Sequence, residues 1–306
     1  MTKIFIDGSA GTTGLRIHER LSARADLELL TLPDELRKDT SARQEMFAQA
    51  DIAFLCLPDA AAIEAVELAK DTNVKIIDTS TAHRVDPNWV YGFAELTGYE
   101  KIASATRVAN PGCHASGFVA LIAPLVKAGL IAPEAVLSCV SLTGYSGGGK
   151  KMIAEYEADE VDSLYKAPRQ YGLTQAHKHL PEMKAVTGLT VSPAFCPIVA
   201  DFYSGMEVTI PVFAKDLKGT ADDVRAVYAK TYEKGLVRYN KEMGAGGFLS
   251  AAAFSGRDDM EVGVFGNDER VLLVARFDNL GKGASGAAIQ NMNIMLGVEE
   301  STGLCV

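Results

Sequence analysis

A short, almost wholly apolar segment, Asp51–Pro58 (DIAFLCLP), restricts the fold of this chain more than any other feature. Its apolar residues do not alternate with polar ones, so a strand formed here must be buried on both faces, as in the middle of a parallel sheet. An alanine-rich segment of helical composition, Asp59–Lys70, follows directly. A buried strand followed by a helix is the unit from which doubly wound α/β domains are built.

The same alternation extends over the first 80 residues of the chain. Further strands are predicted at Lys3–Gly8, Leu27–Leu32 and Val74–Ser80, with a helix at Thr12–Arg24. Repetition of strand and helix at these intervals is typical of dinucleotide-binding domains. The expected fold class is therefore α/β, with an N-terminal Rossmann domain.

The pattern changes after a helix that is predicted from Cys113 to about Ala128. Strands separated by longer, glycine-rich connections follow, and they are predicted at Val136–Thr143, Met206–Phe213, Met260–Phe265 and Val271–Phe277. They indicate a second, α+β domain with a mixed, largely antiparallel sheet. A last helix, at about Gly283–Leu296, is expected to return to the first domain. The predicted division is residues 1–112 with 284–306, and residues 113–283.

Composition excludes several classes of protein. The 306 residues suffice for two domains, and the formal net charge of -9 argues against nucleic acid as a partner. No stretch approaches the roughly 20 apolar residues of a membrane-spanning helix. The N-terminus starts a strand within three residues and lacks the features of a signal peptide, so we expect a cytoplasmic protein. The five cysteines form no CxxC pair, and neither disulfides nor a metal site are expected.

The first chemical motif is a glycine-rich turn that joins the first strand to the first helix, GSAGTTG. Glycines at every third position let the backbone approach a pyrophosphate, whose charge is stabilised by the helix N-terminus. The cofactor-binding residues predicted here are Gly8, Gly11, Thr12, Thr13 and Gly14. The alternative is a tight turn that needs glycine for steric reasons only.

The residues after the second strand do not decide between NAD and NADP. Asp34 is at a suitable distance to bind the adenosine ribose hydroxyls of NAD. Arg37 and Lys38 follow at once and could bind the 2′-phosphate of NADP. All three could also belong to a solvated loop.

The second motif, Ala109–His114 (ANPGCH), places Cys113 at the start of an apolar helix. The partial positive charge of a helix N-terminus favours the thiolate form of cysteine. The other cysteines lie in apolar strands or lack an activating neighbour, and they are Cys56, Cys139, Cys196 and Cys305. Cys113 is therefore the predicted nucleophile.

The third motif, Gln175–Glu182 (QAHKHLPE), contains two of the five histidines, His177 and His179, and a proline expected to bend the chain. A thiolate enzyme needs an acid-base group with a pKa near neutrality, which histidine provides. An exposed polar loop is the alternative. Two further glycine-rich loops, Ser141–Lys150 and Asn279–Gly286, could approach cofactor or substrate.

Read together, ANPGC, HKHLPEM and KGASGAAIQNMNIM resemble the N-acetyl-γ-glutamyl-phosphate reductases of arginine biosynthesis. The segment HASGFVALIAPLV and the chain length are similar to the short subgroup of that family, and the resemblance covers nearly the whole chain. It implies NADP as the cofactor, a Rossmann domain completed by the last helix, and a catalytic and oligomerisation domain at 113–283. It also implies a homo-oligomer, a dimer or tetramer, that acts on a small acyl phosphate.

The resemblance also assigns roles to individual residues. It implies Cys113 and His179 as catalytic residues, although the choice between His177 and His179 as the acid-base group is left open. The remaining residues that it implies are Arg37, Ser80 and Asn279 for the cofactor, and Arg84, Lys150 and His177 for the substrate. Arg84 would also organise the site, and Lys150 replaces an arginine of the longer family members.

The predicted reaction is attack of Cys113 on the acyl phosphate, giving a thioester that NADPH reduces to an aldehyde, with His179 as acid-base group. The nearest alternative is an aspartate-semialdehyde dehydrogenase or a related acyl-phosphate reductase. More distant alternatives are a non-catalytic dinucleotide-sensing regulator and a thiol hydrolase that uses Cys113 and His179. The hydrolase leaves the glycine turn unexplained.

Overall fold

The structure is a computed structural model that describes residues 1–9, 11–244 and 246–306. The helices are α1 (Thr12–Ser22), α2 (Thr40–Gln49), α3 (Asp59–Leu68), α4 (Ala94–Thr97), α5 (Tyr99–Ser104), α6 (Cys113–Lys127), α7 (Gly149–Tyr156), α8 (Leu180–Thr187), α9 (Ala221–Thr231) and α10 (Gly286–Leu296). The strands are β1 (Thr2–Asp7), β2 (Leu27–Leu30), β3 (Ile52–Leu55), β4 (Lys75–Asp78), β5 (Val90–Tyr91), β6 (Arg107–Ala109), β7 (Ser138–Gly144), β8 (Arg169–Gln170), β9 (Ala194–Ala200), β10 (Met206–Phe213), β11 (Val237–Tyr239), β12 (Met260–Gly266) and β13 (Arg270–Phe277).

Two compact units divide the chain. The first contains Met1–Pro111 and Ala284–Leu304, and the second contains Gly112–Gly283 and Cys305–Val306. Among the described residues, no helix combines the length and the apolar character that crossing a bilayer requires.

The first unit is built on a six-stranded sheet in the order β2-β1-β3-β4-β6-β5. Each of its recorded strand pairings is parallel. All four residues of β3 are buried, as the unbroken apolar run of this segment predicts. The α/β fold class expected for this part of the chain is confirmed.

Apolar layers cover both faces of this sheet. Side chains alternate between the faces of a strand, so Ile4 packs with Ile17 and Ile289 on one side while Phe5 faces the other. There the ring of Phe5 meets that of Phe47 edge to face, with 5.3 Å between their centroids. Burial of side chains of this size contributes roughly 1.5–3 kcal/mol each. The sheet is therefore held from both sides, which fixes the carboxyl ends of its strands.

The second unit is built on a seven-stranded sheet in the order β11-β12-β13-β10-β7-β9-β8. The β11–β12 and β7–β9 pairings are parallel, and the other recorded pairings are antiparallel. Helix α6 packs against β10 and β13. The mixed, largely antiparallel sheet predicted from the sequence is confirmed.

Several predicted boundaries are wrong by a few residues. Strand β2 ends at Leu30 instead of Leu32, shortly before Pro33, which has no N–H to give to a ladder. Helix α1 ends at Ser22 instead of Arg24. The last helix begins at Gly286 instead of Gly283, because Gly281–Ser285 forms a π-helical turn. The structure also contains helices and strands that were not predicted, and they are α2, α4, α5, α7, α8, α9, β5, β6, β8, β9 and β11.

Candidate active site

Cys113 is the first residue of α6. The N-cap residue, Gly112, has extended backbone angles and, as a glycine, no side chain of its own to cap this helix end. The helix therefore presents its N-terminal partial positive charge to a partly buried thiol, which favours the thiolate. A Cβ atom at Gly283 would lie 3.0 Å from the Cβ of Cys113, so glycine lets the chain pass directly beside this cysteine.

The loop that leads to Cys113 is held by Arg84. The guanidinium of this buried residue donates Nε–H to the carbonyl of Asn110 at 3.0 Å and Nη2–H to the carbonyl of Thr79 at 2.9 Å. The N–H of Asn110 in turn donates to the carbonyl of Asp78 at 2.7 Å. These bonds hold the backbone at Asn110, and the predicted roles of Arg84 as organiser of the site and as substrate contact both stay predictions.

Glu182 connects the histidine motif to the nucleophile helix. Its buried carboxylate accepts the N–H of Gly112 at 2.8 Å, one residue before Cys113. Pro181, which was expected to bend the chain, lies in the first turn of α8, where a residue without an N–H is tolerated. Helix α8 therefore begins at the N-terminus of α6 and brings its preceding residues to Cys113.

Three imidazole rings form a cluster at this point. The ring centroid of His114 lies 5.7 Å from that of His177 and 5.6 Å from that of His179, and the latter two are 4.8 Å apart. The Nδ1 atom of His177 accepts the backbone N–H of His179 at 3.3 Å, which leaves Nε2 to carry the proton of the neutral ring. Partial burial, together with the charge of Lys178, lowers the pKa of His177.

His114 makes two short hydrogen bonds with polar side chains. Its Nδ1 lies 2.7 Å from the hydroxyl of Ser141, and its Nε2 lies 2.6 Å from the hydroxyl of Tyr171. Burial lowers the pKa of His114 to about 3, with smaller contributions from His177 and Lys178, so this ring is neutral. Burial raises the pKa of Tyr171, and the charge of Cys113 raises it further.

The sequence reading did not assign roles to His114, Ser141, Tyr171 or Glu182. The sequence did contain one indication of this network. His114 lies at the start of an otherwise apolar helix, and a polar group buried there needs hydrogen-bonding partners. The thiols of Cys56 and Cys139 fit the prediction that they are inert. Burial raises the pKa of both, to about 12 for Cys56.

The predicted glycine turn lies in the first unit, with Ala10 outside the described residues. Gly8 has φ +89°, and a Cβ atom there would lie 2.3 Å from the carbonyl oxygen of Cys56. A Cβ atom at Gly14 would lie 2.5 Å from the carbonyl oxygen of Gly8. Helix α1 begins at Thr12, and in the described chain it has neither a side-chain cap nor an acidic residue in its first turn. Its first N–H groups have no partner within the helix, which suits a pyrophosphate.

A cavity of about 270 Å³ lies beside this turn. Its lining includes Gly8, His18, Arg37 and Lys38, together with Leu29–Leu32. Arg37 also forms an exposed ion pair with Asp34, with 2.7 Å between Nη2 and Oδ1. An apolar wall with basic groups at its rim fits the adenosine end of a dinucleotide that carries an additional phosphate.

Ser80 is engaged within its own turn. Its hydroxyl donates to Asp78 at 2.7 Å and accepts the N–H of Ala82 at 3.2 Å. Asp78 also bonds Nδ1 of His83 at 2.6 Å. The predicted contact of Ser80 with the cofactor stays a prediction.

The predicted residues Asn279 and Lys150 belong to the second unit. The buried side chain of Asn279 donates to Ser146 at 2.9 Å and accepts the N–H of Gly205 at 2.9 Å. The first of these bonds anchors the glycine-rich loop Ser141–Lys150. Lys150 is exposed in the first turn of α7. Their predicted contacts with cofactor and substrate stay predictions. No cluster of three or more His, Cys, Asp or Glu side chains that could hold a metal occurs in residues 1–9, 11–244 and 246–306.

Two family models match consecutive parts of the chain. Residues 3–105 match the model described as the semialdehyde dehydrogenase NAD binding domain. Residues 113–279 match the model described as the semialdehyde dehydrogenase dimerisation domain. The second match begins at Cys113.

Curated relatives are similar to this chain over nearly its full length. N-acetyl-gamma-glutamyl-phosphate reductase 2 of Pseudomonas putida is 45% identical, with 98% of each chain covered. N-acetyl-gamma-glutamyl-phosphate reductase of Brucella suis is 46% identical, with 96% of this chain and 99% of that protein covered.

Solved structures share the fold at lower sequence identity. Aspartate semialdehyde dehydrogenase II from Vibrio cholerae, complexed with ASA, superposes with a TM-score of 0.73 at 17% identity, covering 97% of this chain and 98% of that chain. Aspartate semialdehyde dehydrogenase from Francisella tularensis has a TM-score of 0.72 at 15% identity, covering 97% of this chain and 100% of that chain. At this identity the likeness establishes the fold alone.

Proposed function

Because this chain belongs to the family of N-acetyl-γ-glutamyl-phosphate reductases, we propose that it reduces N-acetyl-γ-glutamyl phosphate to N-acetylglutamate semialdehyde with NADPH. This is a step of arginine biosynthesis and belongs in the cytoplasm. The observation that carries the proposal is the arrangement of Cys113 at the N-terminus of α6 with His177 and His179 beside that helix end. A thiolate with an adjacent imidazole is the combination that covalent catalysis on an acyl group requires.

The chemistry of the chain's own residues follows from this arrangement. The Cys113 thiolate attacks the γ-carbonyl carbon, a C–S bond forms, and the carbonyl π electrons move to oxygen. When the carbonyl reforms, the bond to the phosphate oxygen breaks and phosphate leaves with the electron pair, so that a thioester remains. When bound, the reduced nicotinamide supplies the hydride that this thioester carbon accepts. As the carbonyl π electrons move to oxygen, protonated His179 gives that oxygen a proton, and it takes the same proton back when the C–S bond breaks and the aldehyde and the Cys113 thiolate are released.

The first unit provides groups that would hold the cofactor. The N-terminus of α1, whose first N–H groups have no partner within the helix, would bind the pyrophosphate, and glycine at positions 8 and 14 lets the preceding turn pack closely against the backbone of Cys56 and of Gly8. Arg37 and Lys38 at the cavity rim would bind the 2′-phosphate.

Substitution of Arg37 tests the preference for NADPH. In Arg37→Ala the KM for NADPH should rise by about tenfold, since a hydrogen bond to a charged group contributes about 1.5–3 kcal/mol. The KM for NADH should change little, because NADH lacks the 2′-phosphate. Steady-state kinetics with both cofactors measures the difference. Arg20→Ala, which removes the same charge from the last turn of α1, is the control. Equal increases for NADPH and NADH would show that Arg37 binds a part common to both.

The second unit is the proposed site of homo-oligomerisation into a dimer or tetramer. Residues 113–279 match a family model described as a dimerisation domain. Phe213 is 56% exposed and Leu272 is 40% exposed, and the register of β10 and β13 places both on the sheet face that also carries Pro211. Apolar side chains exposed together on one face favour burial against a partner.

A charge on that face tests the proposed interface. Leu272→Asp should lower the molar mass in sedimentation equilibrium to that of a smaller species, because the interface would bury an unpaired carboxylate. Val136→Asp is the control, since Val136 is an exposed apolar residue of the same unit outside the sheet. If Leu272→Asp has the same molar mass as an oligomeric wild type, this face is not the subunit interface. If the wild type is itself a monomer, the proposed oligomerisation is wrong.

The substrate is tested by the reverse reaction. We expect phosphate-dependent reduction of NADP⁺ with N-acetylglutamate semialdehyde, and a kcat/KM at least about tenfold higher than with aspartate semialdehyde. A preference for aspartate semialdehyde would reassign the substrate. Absence of turnover with both aldehydes, in a folded protein that binds the dinucleotide, would favour a regulator instead.

A further inference from the structure

We propose that Tyr171 is a further catalytic residue: its hydroxyl donates a hydrogen bond to the carbonyl oxygen that becomes negative when Cys113 attacks, and His114 and Ser141 hold it in position. The assignment deepens the function proposed above and rests on it for one point, that Cys113 attacks an acyl carbonyl. It does not depend on which acyl group is transferred.

Tyr171 is held at its hydroxyl and at its backbone, and the residue that bonds its hydroxyl is itself held by Ser141. His114 follows Cys113 in the first turn of α6, and its Nε2 lies 2.6 Å from the Tyr171 hydroxyl. The other nitrogen of His114 lies 2.7 Å from Ser141, a fully buried residue of β7. The backbone N–H of Tyr171 donates to the carbonyl of Pro197 in β9 at 3.0 Å. The phenol of Tyr171 is therefore hydrogen-bonded directly to His114, the residue that follows Cys113.

One of the two neutral tautomers of His114 leaves the Tyr171 hydroxyl free to donate to a ligand. A neutral imidazole has one N–H and one acceptor nitrogen. If Ser141 donates to Nδ1, the proton of His114 is on Nε2 and is donated to the Tyr171 oxygen. The phenolic hydrogen is then available for a ligand. The low pKa of His114 keeps this ring neutral, and the raised pKa of Tyr171 keeps the phenol protonated beside the charge of Cys113.

Such a donor acts on the step in which the tetrahedral intermediate forms. The C–S bond forms while the carbonyl π electrons move onto oxygen, and the Tyr171 hydrogen bond strengthens as the negative charge develops. The phenol keeps its proton throughout, and the bond weakens again when the carbonyl reforms and phosphate leaves. One donor of this kind is worth about 10²–10³-fold in rate.

Two reagents separate this role from an effect on the thiol. p-Nitrophenyl acetate acylates Cys113 through a tetrahedral oxyanion, whereas iodoacetamide alkylates it by displacement at a saturated carbon without one. In Tyr171→Phe, acylation of Cys113 should slow by about 10²-fold, while alkylation should stay within about twofold of the wild-type rate. Phenylalanine retains the ring, which is in edge contact with His114 and His177. Mass spectrometry of the Cys113 peptide follows both reactions, and Cys113→Ser gives the background.

Two further variants complete the experiment. Tyr165→Phe removes a hydroxyl from a tyrosine of the same unit that lies beneath Arg169, and both rates should equal those of the wild type. His114→Gln should slow acylation by about tenfold without changing alkylation, because the phenol would lose its fixed orientation. Circular dichroism verifies that each variant is folded.

Selective loss of acylation in Tyr171→Phe supports the proposal. Unchanged acylation overturns it, and equal loss of acylation and alkylation also overturns it because the tyrosine would then act on the thiol. These rates need no natural substrate. If the wild type fails to reduce N-acetyl-γ-glutamyl phosphate while acylation is selectively lost, the proposed substrate is wrong and the role of Tyr171 stands.

Discussion

Cys113→Ser should lower kcat/KM for N-acetyl-γ-glutamyl phosphate by about 10⁴-fold or more, the scale found when a nucleophile is removed. A thiol with an ordinary pKa of about 8.5 is partly ionised near neutral pH, and the N-terminus of α6 favours that ionisation. A serine hydroxyl is not ionised under these conditions, so it cannot form the acyl intermediate at a comparable rate. Steady-state assays with purified protein measure the loss.

The matched control is Cys305→Ser. Cys305 is exposed, and its backbone N–H and carbonyl form hydrogen bonds with Asp258. Its replacement should leave kcat and KM within about twofold of the wild type, as is usual for surface substitutions. Activity that survived in Cys113→Ser, with the same dependence on phosphate, would contradict the assignment of the nucleophile.

His179→Gln is expected to lower kcat by about 10²–10⁴-fold, the range for a general acid-base group. Glutamine preserves polarity and approximate size but does not exchange protons near neutral pH. His179 is buried at the start of α8, whereas His177 is only partly buried and has its Nδ1 occupied by the N–H of His179. His177→Gln should therefore change KM more than kcat.

The comparison of the two histidine variants decides which ring is the acid-base group. A larger loss of kcat in His177→Gln than in His179→Gln would exchange the two roles. Alkylation of Cys113 by iodoacetamide, measured in both variants, would show whether either ring acts through ionisation of the thiol instead.

The structural features that could be predicted from the sequence depend on residues that are close together in the chain. The run Asp51–Pro58 has no polar face, so the buried parallel strand β3 follows from composition alone. Pro-Gly before an apolar helix likewise places Cys113 at a helix N-terminus, and the structure has α6 begin at that residue. Both inferences need only the residues next to each other in the chain.

The polar network around the nucleophile could not be predicted in the same way. His114 bonds Ser141 and Tyr171 across 27 and 57 residues, and Gly112 bonds Glu182 across 70 residues. Such pairs depend on how β7 and α8 pack against α6, for which no short motif gives a signal. The elements β9 and α8 could not be predicted for a related reason, since each contains a proline, Pro197 inside β9 and Pro181 in the first turn of α8.

For the basic residues after the second strand, the structure gives their position, which the sequence alone does not. The sequence left Arg37 and Lys38 open between a solvated loop and a phosphate-binding site. Their position on the lining of the cavity beside Gly8 favours phosphate binding, while the exposed ion pair of Arg37 with Asp34 is a typical surface contact. The expected response of the KM for NADPH in Arg37→Ala follows from the first of these observations.

The central claim is that Cys113 forms a thioester with the acyl group of the substrate. Its most direct test is the mass of the protein after mixing with N-acetyl-γ-glutamyl phosphate in the absence of cofactor. The proposed mechanism predicts a gain of one N-acetylglutamyl group, located by peptide mapping on Cys113, released by hydroxylamine and absent in Cys113→Ser. An unmodified Cys113 in a protein that nevertheless reduces the acyl phosphate when NADPH is added would contradict the thioester mechanism.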